Sequence, residues 1–170
     1  MTIFDKACQV VLSSMQQETC SFADPRANIL GWRCYDFKEE FANERRGFDE
    51  FETNRIKSLI PETGIELIPE KSYILGLNFE KINGVDFKKG CYIGQEVTAR
   101  MKHKAKLKNK LHCGRIPTNP KNKVDKKIYS NGKVVGEIYS ISNNYCLIKI
   151  KEDFKEEKLT VFGQPLTLVD

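Results

Sequence analysis

No stretch of the 170 residues reaches the roughly 18 to 20 apolar positions that a membrane-crossing helix needs. The opening residues MTIFDKACQVVLSS also lack the basic n-region and long apolar core of a secretory signal, so a cytosolic location is expected, or an organellar matrix for a processed chain. The six cysteines, Cys8, Cys20, Cys34, Cys91, Cys113 and Cys146, show no paired spacing. That excludes a disulfide framework or zinc site of ordinary pattern and leaves reduced thiols as the expectation. Without a C-x-x-C or other tight cluster, the chain is not expected to hold a stable iron-sulfur cluster alone. The two histidines, His103 and His112, match no standard metal set with Cys113, and no metal site is expected. Missing too are a phosphate-cradling glycine loop, a supported Ser-His-Asp set, a pair of acids placed for proton transfer, and any internal repeat.

What is present suits a folded chain of one full domain or two small ones, with 40% hydrophobic and 30% charged residues. The net charge of +5 is unevenly placed. Between Arg100 and Lys133 twelve Lys or Arg face a single acid, Asp125, whereas the rest of the chain has sixteen against twenty-two. Such a band attracts nucleic acid, an anionic cofactor tail or an acidic partner, or is simply a solvated lysine-rich surface. Its one aromatic, Tyr129, gives little support to a base-stacking surface.

Ala7, Cys8, Val11, Leu12 and Met15 fall at the helical repeat behind a capping Asp5, which predicts an opening amphipathic helix. Apolar stretches around Asp24-Pro25 in SFADPRANILGWRCYDF predict two strands joined by a loop. Phe48, Phe51, Ile56, Leu59 and Ile60 mark a second helix from Gly47 to Ile60, ended by Pro61 and Gly64. After Gly94, Val97 and Met101 repeat at four, predicting a short helix started through a glycine turn. Beyond about Lys106 the runs LHCGRI, KIYSNGKVVGEIYSIS, YCLIKI and LTVFGQPLTLV read as strands. Turn signals at Asn131-Gly132, Asn143-Asn144 and Gly163-Gln164-Pro165 separate them, and a small barrel or sandwich follows. A boundary near Lys104 to Lys110 divides the chain into regions 1–105 and 106–170.

Cys91 stands between Lys88-Lys89-Gly90 and this helix start, where ammonium groups and free helix N–H groups favour the form of a thiol that acts as nucleophile or ligand. Gly90 and Gly94 allow close backbone approach, and Gln95 and Glu96 add hydrogen-bonding groups. The competing reading is that Cys91 is a small buried hydrophobe. For Asp24 and Arg26, ligand contact competes with a turn-forming Asp-Pro beside a surface Arg. Arg33 reads as stacking or pairing at a core edge.

The segment KGCYIGQE, Lys89 to Glu96, within GVDFKKGCYIGQEVTARM, is the signature of YgfZ-type proteins, and FADPRANILGWR resembles the DPR-x-x-x-LG-x-R segment that precedes it in that family. The IPE and GVDF elements come in matching order, so the resemblance runs from about Ser21 onward. It implies an α+β fold of partial GcvT/YgfZ-like architecture: a ferredoxin-like α+β region followed by a small C-terminal antiparallel β-barrel. It further implies a relative of the glycine-cleavage aminomethyltransferase that binds tetrahydrofolate and supports iron-sulfur enzymes, with Cys91 as the reactive residue. Lys89, Gly90, Tyr92, Gly94, Gln95, Glu96, Arg100, Asp24 and Arg26 would contact the cofactor. Iron-sulfur client enzymes or assembly machinery are the implied partners, together with a chain supplying the N-terminal module that precedes the region matching Met1 in the family. The alternatives are a folate-dependent one-carbon transferase and an RNA-binding or tRNA-modification accessory module using the basic band. Relatives often carry an acid where this chain has Gly76.

Overall fold

The computed structural model describes residues 4–5, 10–13, 21–34, 48–104, 107–120 and 125–169. A four-stranded antiparallel sheet is built from β1 (Phe4–Asp5), β2 (Val10–Ser13), β3 (Ser21–Ala23) and β4 (Trp32–Cys34), in the order β1-β2-β4-β3. The opening helix expected from the apolar spacing is therefore corrected. Val11, Leu12 and Ser13 pair with Cys34, Arg33 and Trp32, because β4 has a second edge to fill and β-branched valines suit a strand. Ala7, Cys8 and Met15 lie outside the described residues. The two strands expected around Asp24-Pro25 are β3 and β4.

Helix α1 (Phe48–Lys57) has Asp49 and Glu50 in its first turn and Arg55 and Lys57 in its last, matching the helix dipole at both ends. It ends in a Schellman motif: Ile60 donates its backbone N–H to the Arg55 carbonyl, Leu59 donates to Ile56, and Leu59 takes a φ of 55° just before Pro61. Phe51 and Ile60 pack with Leu30 and Ile82 into a small core. A 3-10 turn, Ile74–Leu77, lies between α1 and α2 (Gln95–Lys104).

The remaining strands close a six-stranded barrel. They are β5 (Asn109–Arg115), β6 (Lys127–Ser130), β7 (Lys133–Ser142), β8 (Tyr145–Lys151), β9 (Leu159–Val161) and β10 (Gln164–Val169), in the order β10-β5-β8-β7-β6-β9, antiparallel throughout. Its interior is filled mainly by branched side chains, among them Ile128, Ile138, Ile148, Ile150 and Val161. Asn131 and Gly132 both have positive φ, 48° and 74°, the paired geometry that joins β6 to β7 in a tight hairpin. The last hairpin turns at Phe162 and Gly163, one residue earlier than the turn expected at Gly163-Gln164-Pro165, because Gln164 already pairs with Val161.

The two parts share a core. Ile56 of α1 and Leu77 of the 3-10 turn pack on Leu111, Cys113 and Leu147, the outer face of the β5–β8 pair. Beside it lies a buried ionic cluster. Arg55 donates to both carboxylate oxygens of Glu52 (3.0 Å each), to Glu66 (3.2 Å), to the Ile60 carbonyl (2.7 Å) and to the Ser140 hydroxyl on β7 (2.9 Å). Ser140 in turn donates to Glu66. Burial alone would ease the proton off Arg55, but its hydrogen bonds to Glu52 and the charges of Glu66, Glu52 and Glu62 outweigh that, so it holds its proton more firmly than usual. Thr53, Ser142 and Asn143 add a second buried polar link between α1 and the β7–β8 hairpin.

Candidate functional site

The motif segment leaves the small core at Ile82 and forms a surface loop that leads into α2. Gly84 and Val85 both donate to the Phe79 carbonyl, and the Asp86 carboxylate takes the Lys88 N–H at 2.7 Å, turning the chain toward Lys89. Cys91 is exposed, as are Lys89 and Gly90. The Lys89 ammonium lies 4.7 Å from the centroid of the Tyr92 ring. Tyr92 and Gln95 fix each other: the Gln95 side-chain oxygen accepts the Tyr92 N–H at 3.1 Å, and the Gln95 N–H goes back to the Tyr92 carbonyl at 3.2 Å. This is the Gln half of a capping box, and it holds the loop carrying Cys91 against the helix start.

Gly94 makes the turn with a φ of 84°, a region that side-chain-bearing residues avoid. Its carbonyl receives both the N–H and the hydroxyl of Thr98. Glu96 and Arg100 form an exposed pair at 2.6 Å. Farther along, Lys102 pairs with Glu80 and lies 4.0 Å from the Phe87 ring centroid, while His103 meets Phe87 edge-on, so this end of α2 is held from below.

The helix expected after Gly94 is present, but its faces differ from the simple apolar repeat. Thr98 is buried and Met101 half-buried, whereas Val97 is 59% exposed and Ile93 completely so. Two apolar side chains, one two residues from Cys91 and one on the first turn of α2, thus stand in solvent. Their only signal in the sequence is an isoleucine set between Tyr92 and the turn glycine, where no helical or strand period predicts its face.

Asp24 and Arg26 lie in a separate loop, tethered toward the motif by Asn83, whose side-chain amide donates to the Pro25 carbonyl at 2.7 Å. The Asp24 side chain is fully buried. It accepts from the Arg26 backbone and side chain and from Arg33 at 3.1 Å. Burial pushes its carboxyl up, but Arg26 and Arg33 outweigh this and hold it below the usual range. Arg33 is thus a pairing residue.

The basic band is partly neutralised by structure. Lys110 pairs with Glu152 at 3.0 Å, and His112 meets the other oxygen of that carboxylate at 2.7 Å. Among the described residues no group of three His, Cys, Asp or Glu side chains is arranged to hold a metal ion, and no helix is long and apolar enough to cross a membrane. An acid at position 76 would be crowded, since a Cβ there would lie 3.3 Å from the Asn109 carbonyl at the start of β5.

A six-stranded antiparallel barrel behind an α+β part that bears KGCYIGQE on a glycine-turned helix start defines a partial GcvT/YgfZ-like protein. No family model matches the chain. It is 36% identical over 97 residues to the mitochondrial iron-sulfur cluster assembly factor IBA57 of Mus musculus, covering 55% of this chain and 27% of that relative. With the Homo sapiens protein of the same name it is 31% identical over 132 residues, 73% of this chain and 37% of the relative. A tRNA-modifying protein YgfZ of Colwellia psychrerythraea is 35% identical over 80 residues, 43% of this chain and 25% of the relative. The chain is homologous to the IBA57 and YgfZ proteins, members of the GcvT-like/YgfZ family, and spans between a quarter and somewhat over a third of the length of these relatives.

Proposed function

We propose that the chain assists iron-sulfur cluster assembly or repair of iron-sulfur enzymes, with the Cys91 thiol as its reactive group. The observation that carries this reading is the placement of Cys91. It is exposed on a loop pinned by the Tyr92–Gln95 bonds, with Ile93 exposed two residues on and Val97 exposed on α2, within the segment that resembles the assembly-factor family's motif. A thiol presented at a rigid surface suits reaction with another macromolecule. The names of the relatives, iron-sulfur cluster assembly factor and tRNA-modifying protein, support the same reading. A matrix location goes with the mitochondrial branch and a cytoplasmic one with the bacterial branch.

Tetrahydrofolate is the cofactor of this proposal, and the residues present fit one wall of its site. Among the described residues, the side-chain amide nitrogen of Gln95, the Tyr92 hydroxyl and the Lys89 ammonium have no hydrogen-bond partner and would meet a folate. Arg100 is shared with Glu96, and Asp24 is fully engaged by its two arginines. Bound there, a folate would supply one-carbon chemistry, while Gln95 and Tyr92 would orient its polar edge. Because this wall is open to solvent, the isolated chain should bind tetrahydrofolate weakly, as titration calorimetry would register. The reading as a whole is tested by Cys91→Ala in cells that depend on the chain for an iron-sulfur enzyme. Loss of enzyme activity with unchanged protein level supports it, and full activity refutes it.

A further inference from the structure

Lys57, Tyr145 and Arg115 come together from three elements where the last turn of α1 passes the β5–β8 pair. Arg115 and Tyr145 are direct partners in register. The Lys57 ammonium lies 4.0 Å from the centroid of the Tyr145 ring, and the Arg115 guanidinium carbon lies 5.9 Å from the same point. Both cations are exposed. Among the described residues neither has a carboxylate partner. One turn before Lys57 on α1 stand Thr53 and Asn54, and Arg115 faces Tyr145 on one side and Thr167 on the other. Cys113, a buried titratable neighbour, feels the charge of Lys57, but burial pushes its thiol up to about 11 and keeps it neutral. Some other cations of the chain do meet acids, as Arg100 with Glu96, Lys102 with Glu80 and Lys110 with Glu152, so what sets Lys57 and Arg115 apart is their convergence on one ring.

Two like charges gathered on one ring repel, and an anion shared between them turns that repulsion into attraction. We propose that Lys57, Arg115 and Tyr145 bind phosphate oxygens, presented by an RNA strand or by a small phosphate ester. A phosphate has enough oxygens and charge to engage an ammonium and a guanidinium fork together, whereas one carboxylate would leave a cation unmatched. This site shares no residue with the Cys91 loop and stands or falls independently of it.

The test is titration of the isotope-labelled full chain at low salt, following the backbone amides of Lys57, Arg115 and Tyr145. The probes are inorganic pyrophosphate and a short single-stranded RNA. Saturable shifts at these amides are expected. Lys57→Met and Arg115→Gln should each weaken binding about threefold and together about tenfold, and each should lower the log–log salt slope for RNA by about 0.7. Displacement of RNA by pyrophosphate assigns the site to small phosphates, and RNA that stays bound assigns it to the strand. Both side chains are exposed, so an unchanged amide spectrum elsewhere shows that the variants fold. Absence of shifts with either probe, or native affinity in the double variant, overturns the proposal.

Discussion

Three cysteines with described surroundings present three different sulfurs. Burial pushes the Cys113 thiol up to about 11, and burial with the nearby Cys113 pushes Cys146 up to about 12, while Cys91 stands in solvent. At pH 8, iodoacetamide followed by peptide mass analysis should therefore label Cys91 well before Cys113 or Cys146 in the native protein, and all three alike after unfolding. Asp24 gives a pH-dependent prediction. Its folded carboxyl is held below the ordinary value near 3.8, so its contribution to stability is complete above that value and is lost as pH falls through the folded one. Asp24→Asn should cost about 2 kcal/mol at pH 7, a difference that shrinks in acid, as urea midpoints across pH would show. The sequence made Cys91 legible because its neighbours are chemical: two lysines, two glycines and a glutamine. It did not show that Asp24 would turn inward to two arginines, since a buried Asp-Pro turn and an exposed one have the same letters.

Among the elements, α1 carries the connection between the two parts. Arg55, on a helix of otherwise ordinary amphipathic pattern, is buried at 1% exposure, with Glu52, Glu66 and Ser140 on its guanidinium. Truncating one member of such a cluster leaves the others desolvated and unpaired. Arg55→Met should cost roughly 3 to 5 kcal/mol, and adding Glu66→Gln should cost less than the sum of the two changes, in urea unfolding. Nothing in a single sequence marks Arg55 as the buried arginine among surface ones, because beyond its helix neighbour Glu52 and the nearby Ile60 carbonyl its partners lie on the 62–67 turn and on β7. The barrel strands were legible for the opposite reason: alternation and Asn-Gly turns are local. β2 was not, because its apolar spacing also fits a helix and only pairing with β4 decides the matter.

At the scale of the whole molecule, the shared core of Ile56, Leu77, Leu111, Cys113 and Leu147 should make the α1–α2 region and the barrel unfold together. Trp32, the single tryptophan, reports on β4, and far-ultraviolet circular dichroism sums the helices and the barrel strands, so coincident urea transitions by the two probes are expected. The barrel then acts as a buttress: it holds α1 and the 3-10 turn, α2 packs on that turn, and the loop displays Cys91. The most direct measurement of this account is the activity of a dependent iron-sulfur enzyme in cells expressing the native chain, Cys91→Ala or Cys146→Ala at equal protein levels. Support by the native chain and by Cys146→Ala, with loss in Cys91→Ala, is the predicted result. Equal support by native and Cys91→Ala chains would contradict it.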